Sequence, residues 1–145
     1  MKKKTTYLWI VLILSAIGVA LGLLGIIKDL MNFKVLFTPG IFNSPVINII
    51  KFVLAIVGLV ITTKFVFKLY NVTPDLVHWT DIAFGFGVFS NILTFILNFL
   101  FTPGGVLLIL MIIPFIIITA IYIVIWLTFK KHLKRAKESN LMNFA

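Results

Sequence analysis

The sequence has no cysteine, and only four of its 145 residues are acidic. Without cysteine there are no disulfides, thiolate metal sites, cysteine nucleophiles or sulfur ligands for haem and iron–sulfur clusters. His-Glu-x-x-His, a glycine-rich phosphate loop and G-x-S-x-G are also missing, which removes the common metalloprotease, nucleotide-binding and hydrolase signatures. Charge is scarce: Asp, Glu, Lys and Arg make up 12% of the chain, about half the ~25% of a soluble domain. What is present is apolar, with 61% hydrophobic residues and a mean hydropathy of +1.18. No fold of this length hides so much apolar surface from water, and disorder requires the opposite composition. The expectation is an all-α integral membrane protein, a single membrane domain over residues 1–145, without catalysis, cofactor or metal.

Four apolar stretches organise that domain, at about 7–27, 46–67, 82–101 and 106–129. Each reaches the roughly 20 residues that a helix needs to cross ~30 Å of hydrocarbon. None shows the ~10-residue alternation of a β-barrel strand. The first runs past the usual 7–15 apolar residues of a signal peptide and lacks a clear A-x-A site, so it reads as a span. Ser44-Pro45 and Thr73-Pro74 each place a capping hydroxyl before a proline suited to a first helical position. The third helix is therefore expected to begin near residue 74, with Asp75 in its first turn. Pro114 predicts a kink in the fourth. Leu36-Phe37-Thr38-Pro39-Gly40 recurs as Leu100-Phe101-Thr102-Pro103-Gly104, but the flanks do not align and turn chemistry explains both copies.

The distribution of positive charge orients the four spans. With both termini inside, Lys2, Lys3, Lys4, Lys64, Lys68, Lys130, Lys131, Lys134, Arg135 and Lys137 are cytoplasmic, against Lys28, Lys34 and Lys51 outside. That bias predicts an antiparallel four-helix bundle in the cell membrane with both termini cytoplasmic. The basic tail 130–145, including a solvated His132, then lies against anionic headgroups. Lipid thus accounts for the net charge of +9 without nucleic acid.

Helix periodicity picks out the candidate functional residues. Ser15, Gly18, Gly22 and Gly25 share a stripe with a G-x-x-x-G step, which predicts close packing against a neighbouring helix in the same chain, in another membrane protein or in a second copy. Asn48 and Lys51 on the second span, and Asn91, Thr94 and Asn98 on the third, fall on faces expected to turn inward. Lys51, Thr94 and Asn98 come to about the same depth, so a small polar pocket open to the outside is one expectation. Glue between helices, with Lys51 reaching to the headgroups, is the other. Asp75, His78 and Asp81 lie three residues apart and diverge around the helix, so they read as a solvated helix start rather than a metal site. No acid falls within a predicted span. The expected function is an accessory or interaction subunit that works through helix packing, and the alternative is a small transporter or channel-like protomer around Lys51.

Overall fold

A computed structural model describes residues 3–39, 45–101 and 105–144. Helix takes up 87% of them and none is in a strand. The elements are α1 (Thr6–Met31), α2 (Phe33–Leu36), α3 (Pro45–Asn71), α4 (Leu76–Phe101) and α5 (Gly105–Glu138). Four of these helices are long and apolar enough to cross a membrane. Each outruns its apolar stretch, because hydropathy marks the part suited to hydrocarbon while the backbone hydrogen bonds continue into polar flanks. Ser44 and the Thr102–Gly104 turn lie outside the described residues.

Local chemistry explains the helix ends. Thr5 is extended and its hydroxyl accepts the Leu8 N–H at 3.4 Å, capping α1. Pro45 opens α3, where its missing N–H leaves no bond unmade. α4 starts at Leu76, two residues later than Pro74 suggests, because 74–75 form a turn closed by Leu76 N–H onto the Thr73 carbonyl at 3.2 Å. Val72, just before that turn at the end of α3, sits at φ 48°, a left-handed conformation that costs a β-branched residue roughly 1–3 kcal/mol. Its fully buried side chain holds it there. α5 runs unbroken through Pro114. It ends with Asn140 at φ 54° and the Leu141 N–H bonded to the Ala136 carbonyl at 3.0 Å, a Schellman closure.

α1 packs on α3, α3 on α4 and α4 on α5. Burial is concentrated where the first turns of α1 and α4 meet the last turns of α3 and α5, here called the terminal end. Leu8, Val11 and Leu12 pack there with Phe65, Leu69, Val72, Leu76, Phe84, Phe129, Leu133 and Ala136. The tail folds back so that Met142 is buried and Phe144 touches the same cluster. The tail therefore covers the core as well as carrying charge. At the opposite, loop end Ile47 is the buried apolar residue of the described set.

Aromatic and basic residues ring the terminal end. The Lys4 ammonium lies over the Trp9 and Tyr70 rings at 5.1 and 4.7 Å, and Lys64 and Lys68 lie over Trp79 at 5.8 and 5.9 Å. These cation–π contacts suit an interface where one side is apolar and the other wet. Lys68 also pairs with Asp75 at 2.9 Å, and Asp75 accepts the Thr73 hydroxyl at 2.6 Å. That hydroxyl and the ammonium pull the Asp75 carboxyl down from 3.8 to about 2. A depressed acid stabilises the folded turn fully above its unfolded value and loses that contribution as pH falls through the folded one. The protection factors of the Leu76–Trp79 amides in detergent, corrected for the intrinsic pH dependence of exchange, should therefore stay flat above pH 4 and fall as pH drops toward 2. In Asp75→Asn, protection should be lower above pH 4 and show no step in that window.

Candidate functional site

Two side-chain pairs close α1 against α5, both at the terminal end. Thr5 Oγ1 lies 2.7 Å from His132 Nε2, and Tyr7 Oη lies 2.9 Å from Thr128 Oγ1. Tyr7 also stacks on Phe129 at 5.4 Å and meets the His132 ring at 5.2 Å. His132 is therefore part of a clasp between the first and last helices, which corrects the expectation of a solvated tail residue. Beyond the clasp toward the loop end, the space between α1 and α5 opens into a cleft.

A cavity of about 410 Å³ occupies this cleft. Gly18 and Gly22 of α1 form one wall, and Ala55, Gly58 and Thr62 of α3 form the next. Gly87, Ser90, Asn91 and Thr94 of α4 line the back, with Tyr122 of α5 on the far side. The half-buried Phe86 and the more exposed Tyr122 narrow it from two sides. Phe84, which packs at 5.1 Å on Tyr122, 6.0 Å on Phe65 and 6.5 Å on Phe129, seals it from the terminal end. The lining mixes small and hydroxyl-bearing residues with Val19, Leu54, Leu59 and Phe86, where a surface facing only lipid would be large and apolar throughout.

The candidate residues distribute unevenly around this space. Asn91 and Thr94 line it, and the Asn91 amide donates to Thr119 Oγ1 of α5 at 2.9 Å. The Lys51 ammonium donates to Asn98 Oδ1 at 2.7 Å, tying α3 to α4. This pair stands one turn toward the loop end from Ala55 and Thr94, on the same helix faces. Lys51 is thus turned sideways onto a neighbouring helix rather than extended along its own. Asn48 does not join the group: its amide donates to the Leu36 carbonyl of α2 at 2.8 Å, and it lines a separate space of about 190 Å³ with Phe33, Phe37 and Phe52. It sits one turn beyond Lys51, where α2 folds across the end of α3.

The glycine stripe does not pack as its sequence suggests. A Cβ on Gly22 would touch Leu59 at 3.5 Å, but one on Gly18 or Gly25 would meet nothing within 4 Å. Ser15 is half-buried. Close approach occurs at other glycines, where a Cβ on Gly58 would come within 3.1 Å of Phe86 and one on Gly87 within 2.5 Å of the Tyr122 hydroxyl.

Asp81 is the residue that sequence reasoning misplaced. It lies inside the α4 span, where no acid was expected, and its two oxygens accept from Trp126 Nε1 at 2.9 Å and Lys130 at 3.0 Å on α5. His78 is exposed and Asp75 faces Lys68, so the three residues point to three different surroundings. Among the described residues no three His, Cys, Asp or Glu side chains come together as a metal set. The signal for Asp81 was available: a lone acid, a tryptophan and a lysine all fall near one end of adjacent helices. The chain matches no protein-family model, no curated protein and no solved structure.

This geometry puts the tight glycine contact at Gly87 rather than at Gly18. Gly87→Ala must push the Tyr122 ring aside and should lower the midpoint of thermal unfolding in detergent. Gly18→Ala and Gly25→Ala meet no neighbour and should leave the midpoint unchanged or raise it, since alanine favours a helix interior by up to about 1 kcal/mol over glycine. A loss at Gly18 as large as that at Gly87 would contradict the open cleft.

Proposed function

We propose that the chain is a non-catalytic multi-pass protein of the cell membrane, an antiparallel four-helix bundle with both termini cytoplasmic. In this reading it acts as an interaction subunit that receives one face of a partner's transmembrane helix in the cleft between α1 and α5. The observation that carries the proposal is the lining of that cleft. Gly18 offers backbone with nothing opposite it, and Ser90, Thr94 and Tyr122 present hydroxyls to the same space. Acyl chains cannot hydrogen-bond hydroxyls, whereas a partner helix can, and small residues let its backbone come close. About 410 Å³ is too little for a whole helix of ~10–12 Å diameter but enough for the side chains of one face.

Sidedness rests on the clustering of Lys4, Lys64, Lys68, Lys130 and Lys134 with Trp9, Trp79 and Trp126 at the terminal end. Basic residues favour the cytoplasmic face and its anionic headgroups.

Absence of native cysteine makes the test clean, since every introduced thiol is unique. In the host membrane, Gly18→Cys and Thr94→Cys should crosslink to the same adduct. Ala20→Cys, on the opposite side of α1, should give none. Equal crosslinking at all three positions would mean random collision and would sink the proposal.

The polar lining with Lys51 above it also favours a second reading, a small transporter or channel-like protomer with an outward-facing pocket. It predicts that wild-type protein in vesicles takes up a small anion and that Lys51→Ala abolishes the uptake. Identical fluxes with and without the protein would remove it.

A further inference from the structure

We propose that Lys51 is a charge receptor for a carboxylate carried within the partner's transmembrane helix, at the loop end of the cleft. The inference rests on the interaction-subunit reading and adds the partner's chemistry to it. Lys51 stands six residues into α3 from Pro45, about 9 Å along the helix axis at 1.5 Å per residue. Its ammonium is held sideways by Asn98 at 2.7 Å. An amide oxygen accepts one of its three N–H donors but brings no compensating charge.

The ion pairs among the described residues are Lys68–Asp75 and Lys130–Asp81. Both lie at the terminal end, a helix length away from Lys51. Asp29 of α1, the acid at the loop end, lines the space beside Asn48 and Phe52 without an ion pair to Lys51. A cation in low dielectric gains far more from a carboxylate than from a dipole, and the gain grows as a bound helix excludes water.

Register places that carboxylate. Lys51 is one turn beyond Ala55, and Asn98 one turn beyond Thr94, on the faces that line the cleft. A helix seated against Gly18 and Thr94 therefore passes the Lys51–Asn98 pair at its own sixth or seventh residue from that end. Glu or Asp at that depth reaches the ammonium while Asn98 keeps its bond, giving a three-membered polar group. The same residue two turns deeper would meet only hydroxyls and an amide.

The probe is a synthetic leucine–alanine transmembrane peptide with one Glu six residues from its end, compared with the same peptide carrying Gln. Energy transfer between labelled peptide and full-length protein in phosphatidylcholine vesicles reads association. The Glu peptide should bind wild type at least about tenfold tighter than the Gln peptide, equivalent to ~1.4 kcal/mol. Lys51→Arg should keep the discrimination. Lys51→Gln, which retains a donor for Asn98, should abolish it while leaving the Gln peptide's affinity unchanged, and that unchanged affinity also reports a folded variant.

Equal binding of the two peptides would overturn the charge-receptor role while leaving the helix-accepting cleft intact. Failure of both peptides to bind would overturn the two together. Suppression of the Glu preference by millimolar acetate alone would assign Lys51 to free anions and overturn the proposal in favour of a solute site.

Discussion

Everything else in this protein depends on one packed cluster at the end where the chain begins and finishes. Leu8, Phe65, Leu69, Leu76, Phe129 and Leu133 are at most 2% exposed and come from all four long helices. In a bilayer such a cluster gains little from the hydrophobic effect, because lipid tails are as apolar as leucine. Its stability comes from dispersion between close-fitting side chains, which is small per atom pair and large in sum. Val72 shows how firmly the cluster sets the backbone: a β-branched residue is kept at φ 48° so that its side chain stays fully buried.

Polar contacts then fix α4 along its length. Asp81 binds α5 through Trp126 and Lys130, Asn91 binds α5 through Thr119, and Asn98 binds α3 through Lys51. Interhelical bonds of this kind are worth on average about 0.6 kcal/mol and up to ~2 kcal/mol in membranes, so no single one holds the fold. Together they make α4 the central post. α1 has a different status, since it is fastened to α5 at the terminal end, by the Thr5–His132 and Tyr7–Thr128 bonds and the Tyr7–Phe129 stack, and elsewhere leans on α3.

The spans were legible in the sequence because lipid imposes a single demand, a long apolar run with every backbone group satisfied inside its own helix. Residue-level packing was not, for reasons that Gly18 and Gly87 make plain. A glycine states that close approach is possible at its position, and only the partner surface decides whether it happens. Gly87 faces the Tyr122 ring, while Gly18, although part of a G-x-x-x-G step, faces open space. Lys51 and Asn98 were brought to one level by counting turns from the helix ends, and they are hydrogen-bonded. Face periodicity groups Asn48 with them, but α2 intervenes and supplies the Leu36 carbonyl. Such a four-residue helix carries no periodic signal. Asp81 reads as part of a solvated helix start because of its neighbours in sequence, Asp75 and His78, whereas its partners in space lie 45 and 49 residues away.

The asymmetry between the two ends gives the cleft its mechanical character. A close-packed cluster behaves as a stiff body, since any shift forfeits contacts that cannot be remade partway. Toward the loop end α1 and α5 lack such contacts, and their apolar side chains from Leu21 to Ile117 remain more than half exposed in several places. Opening or narrowing the cleft therefore falls to small tilts of α1 about the clasp, because Asp81 and Asn91 hold α5 to α4. The core and the α4 ties stay as they are. A helix entering between them would bury the unpartnered Gly18 surface and the hydroxyls of Ser90 and Thr94 without disturbing what holds the subunit together. The fold can thus be stable alone and still keep one polar face for something else to complete.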